Sequence, residues 1–316
     1  MIPITKRLNC SEKEEYIRQV LALRKKWKGY EFAIRTFCET IKTDYPLPDC
    51  GIEDDLHFTE YKLFPYTCKW LVMSFNDIRQ IQELSEEKNK YHNDYIKLRD
   101  SVNHFLNIYD SFSGANVNNW IIDTSEVRIC PYCNLAYTFN RETKTMGQLD
   151  HFYPKSEFPE FALCYYNLIP SCSTCNRIKG KNADISISPY EDEAFSSVRI
   201  IATASKRINY MNLSEAEKNI ELEILSDRPE ELDNVKLMKL DAAYSHVRDY
   251  AAEILKKRIL YKNECSRQMI INTIKKAGIT EDEILRFYFG NYINEPKGKR
   301  ILDKLASDLY NQDEYT

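Results

Sequence analysis

Residues 130–133 read CPYC and residues 172–175 read CSTC. Each is a C-x-x-C knuckle, a tight turn that sets two thiolates on one side. Two knuckles together complete the tetrahedral four-sulfur shell of a structural Zn2+ ion, which leaves the metal no open position. Cys130, Cys133, Cys172 and Cys175 are therefore the expected zinc ligands. The segment between the knuckles exceeds the usual zinc-ribbon gap, so something is inserted there. Zinc would pin the ends of that insert and stabilise a module too small for a large core. The other six cysteines, Cys10, Cys38, Cys50, Cys68, Cys164 and Cys265, stand singly and read as buried thiols in a reducing compartment.

The insert holds QLDHFYPKS (148–156) and YYNLIPSC (165–172), and CNRIKGK (175–181) continues from the second knuckle. The aspartate–histidine pair Asp150-His151, then Pro154, Asn167, Asn176 and Lys179 appear in order with both cysteine pairs around them. This resembles the HNH endonuclease family, the ββα-metal nucleases. The resemblance spans about 126–190. It departs at the last position, where Asn176 stands and the family name has histidine, which fixes that ligand atom as oxygen. The resemblance implies a ββα module, phosphodiester hydrolysis and one catalytic divalent ion distinct from the zinc. It also implies that Asn167 braces the loop carrying His151 through backbone hydrogen bonds.

The residues themselves agree. Phosphodiester hydrolysis needs an activated water, charge neutralisation on the phosphate and help for the leaving oxygen. His151 is the only histidine in the module, and neutral imidazole can take a proton from water, so it is the expected general base. Asp150 and His151 cannot share a face if both lie on a strand. The strand must end or bend there, and Asp150 then turns to bind metal. Asn176, early in a helix after Cys175, can offer its amide oxygen to the same ion. So sparse a shell suits Mg2+ or Mn2+, which keep waters and take substrate oxygens. Arg177, Lys179 and Lys181 would line the phosphate path.

The chain around the module reads as helical. Ser11 and Glu14 make a capping-box pattern ahead of Tyr16, Val20 and Leu23. Trp70 to Leu84 and Tyr95 to Ile108 carry apolar residues at helical spacing. SFSGANVNNW (111–120) reads as a linker. Short strands are expected at LAYTFN (135–140) and GQLDHF (147–152), with 140–143 as a hairpin turn, and at VRIIATA (198–204) and IELEIL (220–225). SPYEDEAFSS (188–197) reads as an exit loop. A helical stretch follows from Pro229, with Val235, Leu240, Tyr244, Val247, Ala251 and Ile254 on one face. The fold class is α+β, mostly helical, in three parts: an N-terminal helical region (1–125), the zinc-stapled module (126–190) and a C-terminal mainly helical region (191–316).

Composition sets the limits. The chain has 316 residues, of which 43% are hydrophobic and 29% charged, so it can bury a core. Eight glycines argue against a glycine-rich nucleotide-binding fold. No apolar run could span a bilayer, and the polar start MIPITKRLNCSEKEE is no signal peptide, so a cytoplasmic location without membrane contact is expected. The formal net charge is -4, so contact with nucleic acid must rest on local patches. One candidate runs from Lys256 to Lys276, and a second, Arg24 to Lys28 around Trp27, reads as solvated surface. No P-loop is present, so ATP dependence would belong to a partner. The layout resembles nucleases of bacterial anti-phage defence, which pair with a separate ATPase or sensor. The expected substrate is nucleic acid, DNA before RNA. The competing readings are an RNase on the same core and a zinc-stapled binding scaffold without catalysis.

Overall fold

The computed structural model describes residues 1–45, 59–112, 116–142, 144–182, 185–204, 208–275, 278–294 and 298–312. The first helix, α1 (Cys10–Ala22), begins with a capping box one pair earlier than Ser11–Glu14. Asn9 accepts from the Glu12 N–H at 2.9 Å and Glu12 accepts from the Asn9 N–H at 2.8 Å. Two acidic residues compete at the same spacing here, and the better capping side chain, asparagine, decides the register. Ser11 instead donates to Asn9 Oδ1.

Four α-helices follow α2 (Lys28–Ile41): α3 (Thr59–Leu63), α4 (Pro65–Val72), α5 (Phe75–Glu83) and α6 (His92–Val102). The expected single series from Trp70 to Leu84 is split between α4 and α5. Met73 is extended, and Ser74 then caps α5 with Asp77 in a second box. Beyond Val102 the chain tightens to a 3-10 helix, Asn103–Ser111, which buries Phe105 and Ile108. Helix α7 (Val117–Thr124) occupies the end of the stretch expected to be a linker, because Val117 and Ile121 bury one of its faces. Residues 113–115 of that stretch lie outside the described residues.

The middle of the chain is built from short pieces. LAYTFN contributes one isolated bridge, Ile129 with Tyr137, instead of a strand. Asn140 and Arg141 form β1 (Asn140–Arg141) opposite β2 (Lys144–Thr145), so they flank the hairpin turn and do not make it. Gly147 precedes β3 (Gln148–His151) where a Cβ would meet the Thr138 carbonyl oxygen at 2.7 Å, so only glycine fits. Strand β3 pairs antiparallel with β4 (Leu168–Ser171), Asp150 opposite Ile169 and His151 opposite Leu168. Helix α8 (Ser173–Lys179) follows at once and packs on β3.

In the last part β5 (Arg199–Ala204), α9 (Leu213–Asn219) and β6 (Ile220–Leu225) form an antiparallel hairpin with a helical connection. Strand β6 alternates, with Ile220, Leu222 and Ile224 buried and the residues between exposed. Pro229 opens α10 (Pro229–Leu237) as expected. The helical series beyond it breaks at Lys239, in the left-handed region at φ 53°, before α11 (Leu240–Tyr244), and again at the 3-10 turn Ser245–Val247 before α12 (Arg248–Lys262). Helices α13 (Glu264–Lys275), α14 (Glu281–Phe289) and α15 (Asp303–Asn311) complete the chain, α12 packing on α9, α13 and α15. The protein is thus mostly helical with three two-stranded sheets among the described residues. No described helix is long and apolar enough to cross a membrane.

Among the described residues one apolar core gathers side chains from Met1 to Leu309. The first residues lie against the central segment, the Ile2 N–H donating to the Pro131 carbonyl at 2.8 Å and that of Ile4 to Pro189 at 2.7 Å. Of the single cysteines, Cys38, Cys68 and Cys164 are buried, but Cys10 and Cys265 are exposed. Both exposed ones sit in the first turn of a helix, where the turn faces solvent. Cys50 lies outside the described residues.

Candidate metal centre and active site

The sulfur atoms of Cys130, Cys133, Cys172 and Cys175 all lie within 4.8 Å of one another and are buried. Sγ of Cys133 is 3.9 Å from Sγ of Cys172. A tetrahedron with Zn–S bonds of about 2.3 Å has edges of about 3.8 Å, so the cluster fits a four-thiolate ion. Among the described residues no second group of histidine, cysteine and carboxylate side chains is gathered in this way. The first knuckle is shaped by the Cys130 N–H donating to the Ala136 carbonyl and the Asn134 N–H donating to the Cys130 carbonyl. Burial pushes the Cys130 thiol up, whereas hydrogen bonds from Cys130, Cys133 and Cys175 favour the thiolate at Cys172. The C-terminal region buttresses the turn. Tyr244 donates to the Cys133 carbonyl at 2.9 Å and Asn134 to Asp303 at 2.9 Å.

Beside the knuckles, β3, the connection 152–167, β4 and α8 make a strand–strand–helix unit. Strand β3 ends on His151, as the alternation argument requires, and Asp150 and His151 leave it in opposite directions. The His151 ring is partly buried, with Nε2 3.1 Å from the Ala162 carbonyl oxygen. A carbonyl only accepts, so Nε2 carries the proton and Nδ1 keeps its lone pair. Burial drives the His151 imidazolium pKa down to about 3, more strongly than the Ala162 carbonyl raises it, and the charges of Lys155 and Lys179 add to the fall. The ring is therefore neutral at physiological pH. Tyr109, from the 3-10 helix, packs edge-on against it with centroids 4.3 Å apart.

Asn167 is fully buried and spends its amide on the connecting loop. Its Oδ1 accepts from the Tyr153 N–H at 2.8 Å, and its Nδ2 donates to the carbonyls of Tyr153 and Phe161, both at 3.1 Å. This ties the residues just after His151 to those just before Ala162.

Asp150 is 2% exposed. Its Oδ1 is 3.1 Å from Lys179 Nζ, and its Oδ2 accepts from Tyr132 Oη at 2.8 Å. Burial raises its pKa against the lowering effect of Lys179 and Tyr132. Asn176 stands half-exposed on α8 and donates to Gln148 Oε1 at 2.8 Å. Gln148 and Asp150 share one face of β3, so the amide and the carboxylate lie on the same side of the strand. The donor types suit a hard cation, yet both Asp150 oxygens are already engaged and an ammonium neutralises the carboxylate. As arranged, the pair does not form a divalent-ion site.

Lys179 corrects an expectation. Its side chain is wholly buried, held by Asp150 and by the His151 carbonyl oxygen at 2.5 Å, so it does not line a phosphate path. A buried carboxylate needs a partner, and Lys179 on the inner face of α8 supplies it. Arg177 and Lys181 are exposed. The stripe from Lys256 to Lys276 is broken. Arg258 is buried and donates to the carbonyls of Tyr310 and Gln312, and Arg267 pairs with Glu281 at 2.8 Å. The Lys275 side chain and Lys276 lie outside the described residues. Lys25, Lys26 and Lys28 are exposed around buried Trp27, as expected of solvated surface.

Four contributors were not legible in the motif. Tyr132, inside the first knuckle, reaches Asp150; only its place between two ligands hints at it. Tyr109 comes from far upstream with no signal of its own. Ala162 acts through its carbonyl, which any residue offers. Glu160 is fully buried in the connecting loop, where Tyr95 donates to its Oε1 and burial raises its pKa to about 7.

No family model, curated protein or solved structure matches the chain.

Proposed function

We propose that the chain is an HNH-type endonuclease that hydrolyses phosphodiester bonds, with DNA as the preferred substrate. The observation that carries this reading is His151. It is a neutral imidazole with Nε2 committed to the Ala162 carbonyl, Nδ1 left as a base, and a loop braced by buried Asn167. A base must hold its lone pair and its orientation before substrate arrives, and this arrangement supplies both at the cost of basicity, since burial lowers the pKa of the ring. Nδ1 would take the proton from the attacking water while Asn167 keeps the loop from shifting. Zinc at the four cysteines would hold the unit together without touching substrate. Asp150 and Asn176 are the residues that would hold Mg2+ or Mn2+, and that requires the Lys179 ammonium to leave Asp150 first. The resemblance to anti-phage nucleases supports a role as a defence effector controlled by a partner ATPase or sensor.

One observation favours a second reading, a zinc-stapled nucleic-acid- or protein-binding scaffold: Asp150 is closed off by Lys179 and Tyr132. The experiment compares the full chain with His151→Ala on supercoiled plasmid, structured RNA and single strands, with Mg2+ or Mn2+ and with EDTA. The expected result is metal-dependent plasmid cutting that falls about 100-fold or more in the variant. Equal cutting by both proteins removes His151 from the chemistry, and preference for the RNA moves the substrate to RNA on the same core.

A further inference from the structure

We infer that Lys155 contacts the scissile phosphate beside His151, with Asp110 occupying that lysine until substrate arrives and Tyr109 positioning the imidazole. The inference rests on the nuclease reading and adds a phosphate contact beside His151 that Lys179, found buried, cannot supply. A phosphodiester brought to the Nδ1 side of His151 needs a cation within reach that is free to meet it. Lys155 stands four residues after His151, in the same loop. Its Nζ lies 4.7 Å from the centre of the Tyr109 ring, and that ring lies 4.3 Å from the His151 ring. The ammonium is therefore one aromatic ring away from the base.

The lysine is held in place without being enclosed. The Glu157 and Phe158 N–H groups both donate to the Pro154 carbonyl, closing a turn around Lys155, and Asn167 fixes Tyr153 two residues before it. Its ion-pair partner is Asp110 at 3.1 Å, with side-chain exposures of 38% for the lysine and 70% for the aspartate. A pair so exposed contributes little to stability, so a phosphate oxygen can displace the carboxylate. Tyr109 and Asp110 are neighbours on the 3-10 helix Asn103–Ser111, so the N-terminal helices contribute both the brace on the ring and the occupant of the lysine. Tyr109 is a positioning residue: it touches His151 and not the reacting atoms.

The test measures binding of a short DNA duplex to the full zinc-loaded chain without added Mg2+ or Mn2+, where no cutting competes, at several salt concentrations. The proteins are wild type, Lys155→Ala, Lys155→Arg, Asp110→Asn and the double variant Asp110→Asn/Lys155→Ala. Melting curves confirm that each is folded. One lost phosphate contact lowers the slope of log K against log salt by about 0.9, and Lys155→Ala should show that fall with a Kd weaker by roughly tenfold. Lys155→Arg should keep the slope. Asp110→Asn should tighten binding by about two- to fivefold, and only while Lys155 is present. Tyr109→Leu should lower kcat for cutting with KM unchanged, and Tyr109→Phe should restore it. An unchanged slope in Lys155→Ala, an Asp110 effect that persists without Lys155, or no duplex binding by wild type would each overturn the inference. Failure of the nuclease reading shows elsewhere, as equal cutting by wild type and His151→Ala.

Discussion

Glu160 carries a carboxyl in a setting that opposes its charge. Trp70 Nε1 donates to the Glu160 backbone carbonyl at 2.8 Å, and Tyr95 meets Oε1, but Oε2 is buried with no partner among the described residues. Burial raises the folded pKa from the ordinary 4.5 to about 7. Between those values the unfolded chain has lost its proton while the folded chain keeps it. The Glu160 contribution to stability therefore falls as pH rises from about 4.5 to about 7, by up to about 3 kcal/mol, against an opposite contribution from His151 that grows as pH rises from about 3 to about 6.5. Glu160→Gln should remove this fall, so the variant gains stability relative to wild type between pH 5 and pH 8, measured by denaturant unfolding of both proteins at the two pH values. Asn167 offers a second test at this scale. Asn167→Ala strands the buried N–H and carbonyl of Tyr153 and leaves the Phe161 carbonyl with the Cys164 N–H alone, so it should cost about 3 kcal/mol and lower the melting temperature. The cysteines could be picked out beforehand from their paired spacing, and Asp150, His151 and Asn167 from their order between the two knuckles and the resemblance that order carries. Tyr109 could not, since contacts made through the fold leave no local pattern.

Among the elements, the short ones decide the site. Strand β3 is four residues long and stops on His151, so the following loop is free to bring the Ala162 carbonyl round to Nε2. Helix α8 is capped by Cys172, whose Sγ accepts from the Cys175 N–H at 3.4 Å, so the second knuckle is also a helix cap. Losing a ligand therefore loosens α8, and with it the partner of Asp150. Cys130→Ser should drop zinc content from about one ion per chain and lower the melting temperature by roughly 10 °C, read by metal analysis and calorimetry. An unchanged melting curve would count against a structural ion. Strand β6 was readable because its apolar residues alternate, and β5 because it is a short run rich in β-branched residues. The breaks at Met73 and Lys239 were not, because the apolar period continues across them and only the backbone turns.

Across the whole molecule, the boundaries suggested near 125 and 190 coincide with changes in composition but not with a gap in the core. The loop between β3 and β4 is gripped from the N-terminal side. Tyr16 donates to the Leu163 carbonyl at 2.8 Å, Tyr30 to that of Glu160 at 3.3 Å, and Cys164 to that of Trp70 at 3.2 Å. Helix α15 grips the first knuckle from the other side through Asp303 and Asn134. A fragment of residues 126–190 loaded with zinc should therefore lack a fixed structure around His151, seen as poorly dispersed amide resonances. A fragment as well dispersed as the full chain would show that the clasp is dispensable.

The Tyr132 hydroxyl gives this architecture one further consequence. It sits between two sulfur ligands and ends on the carboxylate of Asp150. Any oxidant that pulls the first knuckle apart also withdraws a proton donor from the far side of the strand, so damage to the staple would register at the charged centre before the chain as a whole came undone.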